Sequence, residues 1–323
     1  MTAASTRAKV GLTIIICTYR REDLLSRALA SISSESPQAD LQVDVLVVDN
    51  SDDGSAKKIV EAAQGGAFGI RWMEAHPANI SVARNAGVAA TSSAWFAFLD
   101  DDQEVAPGWL AAVAEAIARL PHDAFFGAVD ARFEAPDLAT PLVRQLFSRK
   151  LDATQGDDLF AMGPEKTAGI ALSTANSIFR RAALPADETP FDLTFGNGGG
   201  EDYDLLCRMQ AQGRRFGWLP AARAREFVPA ARCRQDYLWN RFYAGGQAFA
   251  AAIAKRSAHP QRARWAMRAK GAVQASLLGL LYPFKAMGDS GARADHAYRL
   301  AGALGKASLA DIRPIYRQND SAS

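Results

Sequence analysis

Short apolar segments alternate with helical patterns through the first third of the chain. Runs rich in β-branched and aromatic residues predict four strands, at Leu12–Cys17, Val43–Val48, Gly69–Met73 and Trp95–Leu99. The spacing of apolar positions predicts helices between and after these strands, at Glu22–Ser33, Ser55–Ala63, Ser81–Ala90 and Gly108–Leu120. This alternation predicts a parallel sheet covered by helices on both faces, with ligands bound outside the carboxyl ends of the strands.

The rest of the chain is predicted to be irregular at first and then helical. Residues 131–200 contain several prolines, glycines and aspartates, which indicate loops, with one β element at Ile170–Phe179. A helix is predicted at Glu201–Gln212, and Gly213 suits its C-terminal cap. Residues 233–306 are helical in pattern and rich in alanine and arginine. We therefore expect an α/β part followed by a helical part.

Polar side chains follow three of the four predicted strands, at Thr18–Arg21, Asp49–Gly54 and Asp100–Asp102. An aromatic side chain such as Tyr19 can stack on a base, and Asp49 can accept a hydrogen bond from the base edge. Three adjacent carboxylates repel one another, and a bound Mg²⁺ or Mn²⁺ relieves that cost while taking substrate phosphates as further ligands. The Asp49–Gly54 segment is also typical of a plain turn.

Charged groups also accompany two predicted helix starts. Asn79 or Ser81 suits the N-cap of the third helix, and Arg84 in its first turns opposes the helix dipole. Arg84 therefore needs an anionic or acceptor partner, unless it is simply solvated. Gly198–Gly200 lead into the acidic pair Glu201–Asp202; glycine lets a backbone approach a ligand closely, and a carboxylate there can act as a general base. Acids also suit a helix N-terminus on electrostatic grounds alone.

These motifs, in this order, resemble the family 2 glycosyltransferases of the GT-A fold, and within them the bacterial succinoglycan-type exopolysaccharide glucosyltransferases. The resemblance covers about residues 10–245 and rests on ICTYRR (16–21), ISVARNAGV (80–88), FLDDDQEVAPGWL (98–110), GGEDYDLLCRM (199–209) and EFVPAARCRQDYLWNRFYAGGQ (226–247). It implies an α/β, Rossmann-like GT-A domain with a mixed sheet over residues 1–245 and a basic helical extension over residues 246–323. It also implies an inverting, metal-dependent enzyme that moves a sugar, with glucose preferred, from a UDP-sugar to a saccharide acceptor.

The resemblance further implies a role for individual residues. Contacts to the donor nucleotide fall to Thr18, Tyr19, Arg21, Asp49, Arg84, Asp100 and Asp101. Binding of Mg²⁺ or Mn²⁺ falls to Asp102 and Asp100, the base to Asp202, and acceptor contact or positioning to Glu201, Gly199, Glu226 and Arg232. Two positions depart from the family pattern. Asn50 replaces the usual acid after the second strand, and no histidine follows the acidic pair as an extra metal ligand, a place that Glu226 could take.

The formal net charge of +2 conceals an asymmetry. Residues 1–207 carry 17 Lys and Arg against 29 Asp and Glu, a net of −12, whereas residues 208–323 carry 20 against 6, a net of +14. Basic residues there interleave with Trp265 and the Leu277–Phe284 segment, a pattern typical of a helix lying on an anionic membrane. Such a region also suits a polyprenyl-diphosphate-linked acceptor. Packing on the core or on a second subunit are the alternatives, and nucleic acid is disfavoured because no recognition motif is present.

Composition narrows the remaining choices. With 49% hydrophobic and 22% charged residues, the chain is neither disordered nor a disulfide scaffold, and three widely spaced cysteines indicate a reducing compartment. We expect a cytoplasmic protein, peripheral to the inner face of the plasma membrane. A nucleotidyltransferase would need a glycine-rich loop after the first strand, which CTYRRED lacks. The other alternative is a non-catalytic sugar-nucleotide or polysaccharide-binding protein, which is disfavoured because both the metal carboxylates and the base are present.

Overall fold

The computed structural model describes residues 9–160, 172–186, 189–286 and 288–315. The chain divides into two units. The first is built from Met1–Asp130, Arg149–Pro190 and Met209–Glu226, and the second from Ala131–Ser148, Phe191–Arg208 and Phe227–Ser323. The domain boundary predicted at residue 245 stays a prediction.

Four parallel strands form one half of the sheet in the first unit: β1 (Val10–Thr18), β2 (Leu41–Asp49), β3 (Gly69–Glu74) and β4 (Trp95–Asp100). They lie in the order β3-β2-β1-β4. Thr18 is in register with Asp49, and Cys17 is in register with Asp100. The carboxyl ends of β1, β2 and β4 therefore align, as the alternating pattern predicts.

Four helices follow these strands along the chain: α1 (Glu22–Ser33), α2 (Ala56–Ala62), α3 (Ile80–Ala89) and α4 (Trp109–Arg119). Their apolar positions pack on the sheet. Leu25 of α1 and Trp109 of α4 share a buried cluster with Ile14 and Val45 from the strands. The helices predicted from the sequence are confirmed to within about two residues at each end.

The other half of the sheet is antiparallel, and of its described strands only β8 overlaps a strand that the sequence predicts. It contains β5 (Gln103–Val105), β6 (Ala124–Phe133), β7 (Asp158–Leu159), β8 (Ser177–Arg180) and β9 (Phe216–Val228). The order continues from β4 through β8, β6 and β9 to β5, and β7 pairs with β9. The sheet is therefore mixed, as the family resemblance implied.

The β element predicted at Ile170–Phe179 is much shorter than expected. Residues 170 and 171 lie outside the described part, and the strand begins only at Ser177. The reason is Asn176, whose φ of +45° is incompatible with an extended strand. Its buried amide donates to the carbonyl oxygens of Ala128 and Ala222, both at 2.8 Å, and therefore holds this turn in place.

Helices dominate the second unit: α5 (Pro141–Phe147), α6 (Glu201–Ala211), whose last residues belong to the first unit, α7 (Gln235–Lys255), α8 (Pro260–Ala286) and α9 (Ser290–Ala307). Val143 and Phe147 of α5 pack with Leu238 of α7 and Tyr298 of α9. Helices α7 and α9 approach so closely that a Cβ atom at Gly305 would lie 2.0 Å from the carbonyl oxygen of Tyr243. None of the described helices is long and apolar enough to cross a bilayer.

The three cysteines are free thiols. Removal from water raises the pKa of Cys17 to about 12, and burial raises that of Cys207 to the same value. Both thiols are therefore protonated near neutral pH and poorly nucleophilic.

Candidate active site

The acidic triplet Asp100–Asp102 connects β4 to β5 at the carboxyl edge of the sheet. Asp101 and Asp102 are buried, with 4% and 6% of their surface exposed, whereas the Asp100 side chain is 39% exposed. The backbone turn therefore separates three consecutive carboxyl groups into two that are enclosed by protein and one that faces solvent.

Two residues from the end of β1 hold the buried pair. The Thr18 hydroxyl donates to Asp101 Oδ2 at 2.9 Å. Arg21 Nη1 lies 3.0 Å from Asp101 Oδ1 and 3.3 Å from Asp102 Oδ2. Burial raises the pKa of Asp101, and Arg21 acts in the opposite direction. The structure thus brings Thr18, Arg21, Asp101 and Asp102 together in one cluster, which we call the acidic cluster.

Arg84 and Tyr19 lie near the same edge. Asn79 is the N-cap of α3, since its side chain accepts from the backbone N–H of Ser81 and Val82. Arg84 is buried, and its Nη2 lies 3.9 Å from Asp100 Oδ1, so it has the anionic partner that the sequence required. The Tyr19 ring is half-buried, with the guanidinium of the neighbouring arginine 5.4 Å from its centre.

Asp49 is fully buried at the end of β2, and its carboxylate binds its own loop. Oδ1 accepts from the backbone N–H of Ser51 at 3.0 Å and from the Ser51 hydroxyl, and Oδ2 accepts from the N–H of Ala56 at 2.9 Å. These bonds fix the loop and the start of α2. They are the bonds of the plain turn of which the Asp49–Gly54 segment is also typical. The predicted contact between Asp49 and the nucleotide stays a prediction.

Asn50 joins two loops by three hydrogen bonds, two of which an ionised acid could not donate. Its Nδ2 donates to the carbonyl oxygens of Ala75 and Pro77, the latter at 3.2 Å, and its Oδ1 accepts from the N–H of Asn79 at 2.7 Å. The amide therefore positions the N-cap of α3, the helix that carries Arg84. The departure from the family pattern at this position thus has a structural role in this chain.

Glu226 lies beside the acidic cluster through strand pairing. It is in register with Gln103, the residue after Asp102, and Gln103 Nε2 donates to Glu226 Oε2 at 3.3 Å. Over the described residues, no group of three or more His, Cys, Asp or Glu side chains is arranged to hold a metal ion. Mg²⁺ often takes only one or two protein carboxylates together with substrate phosphates, and Asp100 and Asp102 match that donor chemistry.

The second unit contains the remaining predicted residues. Gly199 and Gly200 adopt φ angles of +86° and +104°, which side-chain-bearing residues rarely accept, and they bring the chain into α6. Glu201 is buried and Asp202 is half-buried in the first turn of that helix. Arg232 is half-buried in a short 3₁₀ turn, Ala230–Cys233.

Asp204 is a buried anchor for α6 that sequence reasoning did not identify. Its side chain is fully buried, and Arg208 Nε lies 3.1 Å from Oδ2. Arg256, at the end of α7, places Nε 2.7 Å from Oδ1 and Nη2 3.0 Å from Oδ2. The i, i+4 spacing of Asp204 and Arg208 on one helix is visible in the sequence and predicts an ion pair between them. Nothing near Asp204 in the sequence indicates that Arg256 is its second partner.

Comparisons with known proteins agree with this architecture. Residues 13–183 match the family described as Glycosyl transferase family 2. The chain is 30% identical over 260 residues to the succinoglycan biosynthesis protein ExoM of Rhizobium meliloti (strain 1021), covering 80% of this chain and 79% of ExoM. Its fold is similar to the crystal structure of S. aureus TarS 1–349 in complex with UDP, with a TM-score of 0.55, 16% identity, and coverage of 92% of this chain and 89% of TarS.

The fold class is therefore the GT-A glycosyltransferase fold, a mixed α/β sheet with flanking helices and a helical C-terminal part. The family match and the relationship to ExoM identify the chain more closely: it belongs to glycosyl transferase family 2. The family and the relationship to succinoglycan biosynthesis proteins that the sequence motifs predicted are both confirmed.

We expect Asn50→Asp to destabilise the protein at neutral pH by about 1–3 kcal/mol, because a carboxylate would face the carbonyl oxygens of Ala75 and Pro77 with no proton to donate. The loss should shrink at acidic pH, where a protonated carboxyl can donate again. Urea denaturation at both pH values measures it. Asp52→Asn is the control, because the Asp52 side chain is exposed in the same loop, and it should stay within about 0.5 kcal/mol of the unmodified protein. A variant as stable as that control would contradict the role given to Asn50.

We expect Asp204→Asn to lower the free energy of unfolding by about 3 kcal/mol, because it leaves two guanidinium groups without their shared anion. This is the lower end for a broken buried ion pair, since the Arg256 side chain remains 24% exposed. The matched control is Asp202→Asn on the same helix, which should cost under about 1 kcal/mol. Equal losses for the two variants in thermal or urea denaturation would show that Asp204 is not a special anchor.

Proposed function

We propose that the protein is an inverting, metal-dependent glycosyltransferase that moves glucose from a UDP-sugar to a saccharide acceptor linked to a polyprenyl diphosphate, in exopolysaccharide biosynthesis. One observation carries the proposal. In a family 2 chain, Thr18 and Arg21 hold Asp101 and Asp102 at the carboxyl edge of the sheet, which is where this class of sheet binds its ligand.

The donor is proposed to be a UDP-sugar because the structural neighbour TarS was solved in complex with UDP. Tyr19 would stack on the uracil ring, and Arg84 would offer its guanidinium to a diphosphate oxygen. Asp100 is the most exposed acid of the triplet and accessible to a ribose hydroxyl or a cation. The exopolysaccharide product is inferred from the name of the relative ExoM, a succinoglycan biosynthesis protein. Glucose is inferred only from the resemblance of the sequence motifs to succinoglycan-type glucosyltransferases.

Asp102 and Asp100 would hold Mg²⁺ or Mn²⁺, with Glu226 beside them in the sheet register. Bound there, such an ion supplies neutralisation of the negative charge that develops on the leaving diphosphate. Arg21 already compensates part of the charge of Asp101 and Asp102. The carboxylates are therefore partly neutralised before any ligand binds, so the cluster tolerates its burial.

Asp202 is proposed as the general base. It accepts the proton from the acceptor hydroxyl as that oxygen attacks the anomeric carbon of the donor. The bond from the anomeric carbon to the UDP oxygen breaks on the opposite face, so the configuration inverts. Asp202 is half-buried at the N-terminus of α6, whereas Asp204 is committed to two arginines. Gly199, with its positive φ angle, turns the backbone into α6. Glu201 and Arg232 would position the acceptor.

We expect Asp202→Asn to bind UDP as tightly as the unmodified protein but to lose transfer by at least about 10²-fold in kcat, the usual contribution of a positioned base. Calorimetry with UDP and Mn²⁺ measures binding, and release of UDP in the presence of acceptor measures turnover. The turnover of Asp204→Asn, corrected for the fraction of that variant that is folded, is the value for comparison. Retention of more than about a tenth of the turnover by Asp202→Asn would refute the assignment of the base.

We expect a panel of UDP-sugars to show hydrolysis or transfer only with Mg²⁺ or Mn²⁺ present, and fastest with UDP-glucose. Asp102→Ala should weaken metal-dependent UDP binding by about tenfold or more, because it removes a charged ligand. Mass detection of UDP identifies the donor, and EDTA provides the metal-free arm. Tight UDP binding without turnover of any sugar would instead favour a non-catalytic sugar-nucleotide-binding protein.

A further inference from the structure

Helix α8 exposes a continuous apolar face. Phe284, Leu280 and Trp265 are 74%, 72% and 62% exposed. With Val273 and Leu277, they are spaced by eight, four, three and four residues, which keeps them on one side of the helix. We call these five residues the α8 stripe. Exposed apolar side chains arranged as one contiguous face mark an interaction surface.

The opposite side of α8 is fixed by α9, so the stripe is held outward. Met267 is buried, and a Cβ atom at Gly271 would lie 2.7 Å from the backbone nitrogen of Ala307 at the end of α9. His296 of α9 lies 2.8 Å, through Nε2, from the carbonyl oxygen of Leu278. The rotation of α8 about its axis is therefore set by contacts within the second unit.

The charge of α8 has one sign. The helix carries no Asp or Glu between Pro260 and Ala286, and its cations are Arg262, Arg264, Arg268, Lys270 and Lys285. Other cations of the basic region are used internally. Arg256 binds Asp204, and Lys255 pairs with Asp192. The positive charge of α8 has no acidic residue of its own helix to neutralise it.

We propose that the α8 stripe and its flanking cations dock on the surface of an anionic lipid membrane. Cations beside Trp, Leu and Phe on one helix suit the interface of such a bilayer. A second copy of α8 is a poorer occupant, since it would bring five cations against five. This docking surface is independent of donor and acceptor chemistry, and it would bring the enzyme to an acceptor held in the membrane.

The test is co-sedimentation of the full chain with vesicles of phosphatidylcholine, with and without phosphatidylglycerol. The protein should partition onto the anionic vesicles only, and less as salt is added. Leu280→Ser and Phe284→Ser should each weaken partitioning by about tenfold. Arg262→Gln should weaken it by about fivefold, because Arg262 lies three residues before Trp265 on the side of the stripe. Leu309→Ser is the matched control, since Leu309 is also 72% exposed but lies outside α8, and it should bind like the unmodified protein.

Several outcomes would overturn the proposal. These are no binding to anionic vesicles, equal binding to neutral and anionic vesicles, or no difference between Leu280→Ser and Leu309→Ser. Sedimentation as a dimer that Phe284→Ser converts to monomer, without vesicle binding, would assign the stripe to a second copy. Thermal denaturation of each variant, measured in parallel, reports folding. Failure of the proposed transfer reaction with intact vesicle binding would leave this inference standing.

Discussion

A carboxylate withdrawn from water must be met by donors or cations, and this requirement organises both units of the protein. An unpaired buried charge is too costly for a fold whose net stability is a few kcal/mol. Asp49 satisfies it with the N–H groups and hydroxyl of its own loop, and Asp101 with Thr18 and Arg21. Asp204 satisfies it with Arg208 and Arg256. Each solution fixes a segment that carries a proposed site residue.

The sequence could predict what is local. The β1–β4 strands, their helices and the acidic triplet follow from apolar periodicity and from the polar residues after each strand. The antiparallel strands β6 and β9 do not stand out in the sequence, because they contain several Gly, Pro, Asp and Ala residues, which are depleted in strands. Asn176 shortens β8 by turning the backbone. The pairing of Gln103 with Glu226 depends on sheet register between distant segments. No spacing rule within a single sequence gives such a register.

The near-zero net charge adds together charged groups that are paired inside the protein and charged groups that lie on its surface. Acidic residues in the first unit include buried, paired carboxylates such as Asp101, and basic residues of the second unit include Arg256, which neutralises Asp204. The charge asymmetry seen along the sequence therefore overstates the free positive surface of the C-terminal region. Helix α8 is the part of this region where cations and exposed apolar side chains occur together on one helix.

Helix α6 shows how the same requirement separates stability from chemistry. Asp202 and Asp204 are two residues apart, so they point in directions that differ by about 200° around the helix axis. The face that carries Asp204 is committed to two arginines and is fully buried. Because that anchor sets the rotation of the helix, it also sets the direction in which Asp202 points. The proposed base can therefore change protonation state during a reaction while the ion pairs that hold its helix remain unchanged.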